Sequence, residues 1–228
     1  MQRFEVECAG LSPILMDPMT EDTLDAIGTG NRPPEIRDRP VEEIAASKIY
    51  RDLDTSRIGL PVEMLIACLV NAGRKVKNGK MQISTAKDTT LFDFLTVDGI
   101  FLPFTNIPEE VAGEKETEMK FWRVDKRRGV GNTGVAVRII RPSFKDWAFS
   151  VTIEIDESKV NGMTVRKLFD VAGSAAGLGS FRPSKKGPFG RFAVRKWTDI
   201  TPVEKQKKSR GLSADKAGRS ANRFAEAE

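Results

Sequence analysis

The clearest pattern in the chain is an alternation of apolar and polar side chains over residues 147–155. The apolar face holds Trp147, Phe149, Val151, Ile153 and Ile155. The opposite face holds only Ala, Ser, Thr and Glu. A period of two predicts a half-buried β-strand. A shorter alternation over residues 3–8, which ends before Gly10, predicts a second strand.

Two other segments repeat their apolar residues at helical spacing. They cover residues 62–76 and 164–176, and Gly177 follows the second as a helix stop. Further alternation predicts strands over 135–141 and 191–197. In chain order these elements form the series β-α-β-β-α-β.

That series predicts an α+β fold with a ferredoxin-like, RRM-type core. We expect one domain over residues 1–202, with two large insertions at about 11–61 and 78–134. Within the second insertion, residues 121–134 are typical of a β-hairpin with a glycine-rich tip. Residues 203–228 are rich in Lys, Ser, Ala and Gly, which predicts a disordered basic tail.

The composition excludes several kinds of catalytic and metal-binding site. The chain has no histidine and only two cysteines, which removes imidazole catalysis and Cys- or His-rich zinc sites. We expect no cofactor, no bound metal and no catalytic residues. Cys8 and Cys68 lie in apolar segments and are interpreted as buried free thiols of a cytoplasmic protein. A disulfide between them is the alternative that the sequence leaves. No apolar run is long enough for a membrane span, and no membrane partner is expected.

Positive charge is concentrated in two blocks. The net charge is only +5, but residues 120–145 hold eight basic side chains and one acid, Asp125. Residues 166–196 again hold eight basic side chains and one acid, Asp170. Such blocks favour a phosphate-bearing partner, although many charge runs are simply solvated surface.

Residues 177–191, here called the glycine loop, combine four glycines, four cations and two phenylalanines. Glycine permits close approach of backbone to a ligand, arginine forks bind phosphate oxygens, and phenylalanine can stack on bases. The strand at 147–155 carries no aromatic residue on its polar face. We therefore expect binding through loops and insertions rather than through the open sheet.

Two motifs carry a resemblance to a known family. A helix leads into Gly177-x-Gly179 and then Gly187-Pro-Phe-Gly190, and a first strand exits through Gly10-Leu-Ser-Pro-Ile-Leu-Met16. This combination resembles the RAMP superfamily of CRISPR systems, whose backbone subunits use ferredoxin-like domains to bind guide RNA and polymerise along it. It is also similar to small phage or prophage proteins with a GxGxFRP…GPFGRF ending.

The resemblance implies a set of nucleic-acid-binding residues. In the glycine loop they are Gly177, Gly179, Phe181, Arg182, Lys185, Lys186, Gly187, Phe189, Gly190 and Arg191. In and beside the predicted hairpin they are Trp122, Arg123, Lys126, Arg127, Arg128, Arg138 and Arg141.

The resulting hypothesis is a non-catalytic protein that binds a single-stranded nucleic acid and multimerises along the strand as a CRISPR-type backbone subunit. The partner is single-stranded RNA or DNA, and the resemblance favours RNA. A metal-dependent nuclease is one alternative, since Asp52 and Asp54, or Glu154 and Asp156, could hold Mg²⁺. A phage structural or interaction protein is the other. We expect a homo-oligomer or a multisubunit nucleoprotein complex in the cytoplasm of a bacterium or a phage-infected host.

Overall fold

The computed structural model describes residues 1–30, 39–130 and 134–202. The strands are β1 (Gln2–Gly10), β2 (Ile14–Leu15), β3 (Gly59–Pro61), β4 (Lys77–Asn78), β5 (Met81–Gln82), β6 (Leu95–Val97), β7 (Phe101–Pro103), β8 (Trp122–Val130), β9 (Ala136–Phe144), β10 (Ala148–Ile155) and β11 (Phe192–Asp199). The α-helices are α1 (Glu21–Gly28), α2 (Val41–Ala46), α3 (Val62–Gly73), α4 (Leu91–Phe94), α5 (Lys115–Glu118) and α6 (Gly162–Val171). Short 3₁₀ turns cover Glu109–Val111 and Pro183–Lys185, and Ala172–Ala176 is a π-helical turn. The predicted tail at 203–228 lies outside the described residues.

The central sheet has four strands in the spatial order β11-β1-β10-β6, and every neighbouring pair is antiparallel. In chain order the sheet and its helices run β1, α3, β6, β10, α6, β11. The predicted α+β class is therefore confirmed, and the strands at 3–8 and 147–155 and the two helices fall where the sequence patterns placed them.

The location of one strand of this sheet, the second in chain order, was predicted wrongly. The pattern over residues 135–141 suggested it, but that segment belongs to β9, which pairs with β8 and β2 in a separate three-stranded sheet. The strand beside β10 is β6, inside the segment expected to be an insertion. β6 has only three residues, too few to show a period of two, whereas the nine-residue β9 contains the alternating Val137 and Ile139, although Val137 is exposed.

One face of the central sheet is the core. Val6 and Cys8 of β1 and all five apolar residues predicted for the strand at 147–155 are buried there. Cys8 and Cys68 are both buried and free, as predicted. Burial raises the pKa of each thiol to about 12, so both stay protonated and unreactive near neutral pH.

The other face of the sheet carries acidic side chains in ion pairs and hydrogen bonds. Glu5 accepts a hydrogen bond from Ser150, Glu7 pairs with Lys196 at 3.0 Å, and Arg3 pairs with Asp98. On β10 this face holds Ala148, Ser150, Thr152 and Glu154. These residues offer a polyanion no stacking group and several repelling charges.

A buried ion pair sits beside the start of β8. Both oxygens of Glu118 accept hydrogen bonds of 2.6 Å from the Arg51 guanidinium, and Oε1 also accepts one of 2.7 Å from the Gly113 amide. Burial alone would raise the pKa of Glu118, but these donors outweigh it and hold the pKa below the usual value. The pair ties Arg51, which precedes β3, to the segment 113–118 that leads into β8.

We predict that Glu118→Gln lowers the free energy of unfolding by about 1–3 kcal/mol at pH 7, because the charged acceptor of a mostly buried arginine is lost. The folded-state pKa lies below the unfolded one. The contribution of Glu118 is therefore present above the unfolded pKa and lost as pH falls through the folded value. Urea unfolding at pH 7 and pH 3 should show a difference from wild type that shrinks at pH 3. Glu116→Gln, an exposed neighbour, should change little; equal losses at both pH values would contradict this account.

Candidate nucleic-acid interface

The glycine loop folds tightly on itself. A Cβ atom on Gly190, which has φ of +70°, would lie 1.8 Å from the carbonyl oxygen of Leu178. A Cβ on Gly187 would lie 1.7 Å from the carbonyl oxygen of Phe181. Gly177 and Gly179 are also buried. The four glycines thus let segments of the loop pack in direct contact with one another. That these glycines also bring the backbone close to a phosphate remains a prediction.

Main-chain hydrogen bonds tie the glycine loop to the segment after β1. The amide of Ser180 donates to Leu15 over 2.7 Å, and the amide of Gly190 donates to Pro13 over 2.9 Å. The amide of Leu11 in turn donates to Arg191 over 2.7 Å. The two motifs that carried the family resemblance are therefore neighbours in space, each completing the backbone hydrogen bonds of the other.

The β8–β9 hairpin reaches the glycine loop with one of its faces. Arg141 Nη1 donates a hydrogen bond of 2.7 Å to Ser180 Oγ. Nearer the tip, the Arg127 guanidinium carbon lies 4.6 Å from the ring centroid of Phe189 and 5.9 Å from that of Phe181. Both distances fit cation–π contacts. The structure therefore brings the two basic blocks of the sequence together.

The opposite face of the hairpin carries three exposed cations. In the strand register Arg128 lies directly opposite Arg138, with Lys126 two residues before Arg128. Like charges at opposed positions of a strand pair are destabilising, and a bound polyanion would relieve the repulsion. A shallow concave surface at this end of the hairpin is lined by Lys126, Arg127, Arg128, Ala136, Val137 and Arg138.

The predicted site residues differ in exposure. Exposed are Arg123, Lys126, Arg127, Arg128, Arg138, Phe181, Lys185, Lys186 and Arg191. Half-buried are Arg182 and Phe189. Arg182 donates to the Gly179 carbonyl and to Ser184, so part of its fork is used inside the loop. The basic surface is defined here as the exposed cations on both faces of the hairpin together with Phe181, Arg182, Lys185 and Lys186.

Two predicted contacts do not fit the structure. Trp122 is only 5% exposed and packs at the base of the hairpin, so its ring is not available to stack on a base. Arg141 is 6% exposed and joins the hairpin to Ser180 and, at 3.6 Å, to Asp17. Residue type alone suggested both roles, whereas strand register and the packing of α2 decide which side chains are covered.

Sequence reasoning missed Asp125 as part of this site. Both of its carboxylate oxygens accept hydrogen bonds from Arg127 Nε, over 2.8 and 3.0 Å. Residues two apart on a strand share a face, so the Asp-x-Arg spacing on a predicted hairpin strand was a usable signal.

The carboxylates of the nuclease alternative have local partners. Asp52 accepts main-chain hydrogen bonds from Thr55 and Asp54, chiefly the former, and these hold its pKa below the usual value. The Ser158 hydroxyl, and after it the Ser158 amide, donates to Asp156 and holds the pKa of that carboxyl below the usual value. Within residues 1–30, 39–130 and 134–202, no group of three His, Cys, Asp or Glu side chains is placed to hold a metal ion.

No protein-family model and no curated protein matches this sequence. A solved structure does share its fold, a chain of the cryo-EM structure of the Type III-B Cmr-beta bound to cognate target RNA. The two chains superpose with a TM-score of 0.51 and 12% identity, over 88% of this chain and 61% of the other. At this identity the likeness is one of fold. Among the helices that the structure describes, none has the length and apolar character to cross a bilayer.

We predict that Gly190→Ala destabilises the protein by about 2–5 kcal/mol, because a left-handed backbone and a close carbonyl contact both oppose a Cβ atom. Gly79 is the matched control, since its φ is +61° and nothing lies within 4 Å of the Cβ position. Gly79→Ala should cost only about 1–2 kcal/mol. Chemical denaturation of both variants measures the difference in the free energy of unfolding. Equal decreases in the two variants would show that the glycine loop accommodates the Cβ atom without strain.

Proposed function

We propose that this protein is a non-catalytic subunit that binds single-stranded RNA and multimerises along it, as the backbone subunits of CRISPR complexes do. The observation that carries the proposal is the contact between the hairpin and the glycine loop. Arg127 of the first basic block lies there over Phe189 of the second block, beside Phe181, and Lys126, Arg128 and Arg138 lie on the other face of the same hairpin.

Electrostatics favours a polyanionic partner at the basic surface. Eight of its side chains are cationic and at least partly exposed: Arg123, Lys126, Arg127, Arg128, Arg138, Arg182, Lys185 and Lys186. If about six to eight of them contact phosphates, log K should fall with log salt with a slope of about −4 to −6, at about −0.7 per phosphate of a single strand.

A single strand fits this surface better than a duplex. Phe181 is 39% exposed beside these cations, and a base can stack on an aromatic ring only when it is not paired inside a helix. The fold likeness to a chain from a complex bound to target RNA supports RNA over DNA.

Multimerisation is the part of the proposal that rests on fold likeness. The similar chain comes from the structure of the Type III-B Cmr-beta bound to cognate target RNA. Repeated head-to-tail contacts between copies of this chain would produce a filament along a strand. Native mass spectrometry with and without a single-stranded oligonucleotide tests this step. We expect several copies of the protein on one oligonucleotide. One copy at every oligonucleotide length would contradict multimerisation but not binding.

We predict that replacing Lys126, Arg128 and Arg138 together by glutamine weakens binding to single-stranded RNA and reduces the magnitude of the salt slope by about 2. The control replaces Lys77, Lys80 and Lys87, which are also exposed. These control lysines lie by the other end of the central sheet. Asn78, next to Lys77, donates a hydrogen bond to the Lys159 carbonyl beyond the Ile155 end of β10, whereas the glycine loop lies by the Ala148 end. The control variant should keep most of the affinity and the full slope.

Electrophoretic shifts with single- and double-stranded RNA and DNA, repeated over a range of salt, provide the measurement. The proposal requires the wild type to bind single-stranded RNA most tightly. Equal weakening in both triple variants would mean that binding follows net charge and not this surface. Labelled RNA should also stay intact with Mg²⁺ or Mn²⁺; cleavage lost in Glu154→Ala, Asp156→Ala would favour the nuclease alternative.

A further inference from the structure

Asp125 is a single acidic residue among the cations of the hairpin, and a surface that bound RNA by positive charge alone would gain nothing from it. We propose that Asp125 and Phe189 are positioning residues that hold Arg127 as a rigid fork for one phosphate of the bound strand, while Phe181 stacks on the neighbouring base. This inference rests on the proposed function, because it requires single-stranded RNA at the basic surface.

The hydrogen bonds of Arg127 leave its outer end free. Asp125 accepts from Nε with both oxygens, and the Asp125 side chain is only 14% exposed. Neither terminal nitrogen of Arg127 has a hydrogen-bond partner among the described residues, and its side chain is 40% exposed. A guanidinium fixed at Nε keeps both terminal NH₂ groups available for a bidentate contact with phosphate.

The two rings beside Arg127 are not equivalent. The guanidinium lies 4.6 Å from the centre of Phe189, so it occupies a face of that ring, and Phe189 is half-buried. Phe181 is farther from the guanidinium and more exposed. Phe189 is therefore a support for Arg127, and Phe181 is the ring with surface to offer a base.

The backbone of Phe181 adds an independent observation. Phe181 has φ of +51°, a left-handed conformation that is uncommon for a bulky side chain. Its carbonyl packs where Gly187 lacks a Cβ atom. Strain of this kind persists when surrounding structure imposes it and is concentrated at binding sites. The loop thus keeps the Phe181 ring beside Arg127 at a cost in backbone energy.

Electrostatics makes this inference testable. Asp125 is the only acid among residues 120–145, and its charge lowers the positive potential of the surface. If affinity depended on net charge alone, Asp125→Asn would bind RNA more tightly. If Asp125 orders Arg127, the same change weakens binding, because ordering the arginine then occurs only on binding.

The experiment measures binding of a fluorescent uridine oligonucleotide by anisotropy at fixed salt. Asp125→Asn should weaken binding about two- to tenfold, which is the range expected for ordering one long side chain. The matched control is Asp170→Asn, which removes the one acid of the other basic block. Asp170 is exposed, and its carboxylate forms no ion pair with an arginine in the described parts of the chain. The control should bind as tightly as wild type or more tightly.

Double variants separate the roles of the rings. In an Arg127→Ala background, Asp125→Asn and Phe189→Leu should have no further effect, because both act through the arginine. Phe181→Leu should still weaken binding in that background, because it contacts the base directly. Thermal melts identify any variant that is unfolded, and the remaining variants still test the inference.

Tighter binding by Asp125→Asn, or full effects of Asp125→Asn and Phe189→Leu without Arg127, would overturn this inference. A loss in Arg127→Ala confined to guanine-containing strands would also overturn it, since a phosphate contact is independent of the base. A wild type that binds no oligonucleotide would instead contradict the proposed function.

Discussion

The docking of the β8–β9 hairpin on the glycine loop is the interaction on which the rest of this site depends. Arg141 fixes the inner part of the hairpin to Ser180, and Arg127 fixes the outer part to Phe189. Without these contacts the two basic blocks would be separate solvated segments. With them, cations of both blocks lie close together, Arg127 on the loop-facing side of the hairpin and Lys126, Arg128 and Arg138 on its other side.

The central sheet positions this surface but does not form it. One face of the sheet is the core under α3 and α6, and the other face carries Glu5, Glu7 and Glu154 in polar and charged contacts. An acidic face without aromatic rings cannot serve as a stacking platform. The proposed binding surface therefore lies on the hairpin and the glycine loop, which close-packed glycines make compact.

The sequence allowed prediction of those elements whose patterns are long. The alternation over residues 147–155 and the helical repeats are confirmed because burial on one face imposes the period of the element. β6 escaped because three residues show no period. The pairing of Asp125 with Arg127 was signalled by their spacing and was overlooked. The burial of Trp122 and Arg141 escaped because it depends on which face of the hairpin packs against distant parts of the chain. Residue type and spacing do not encode that tertiary choice.

The most direct test of the central claim is a footprint of lysine accessibility by acetylation, with and without single-stranded RNA. The account predicts that Lys126, in the hairpin, and Lys185 and Lys186, in the glycine loop, become protected together. Lys77, Lys80 and Lys87, by the other end of the central sheet, should react as before. Protection of the second group with none in the first, or protection of the hairpin without the loop, would contradict a shared binding surface.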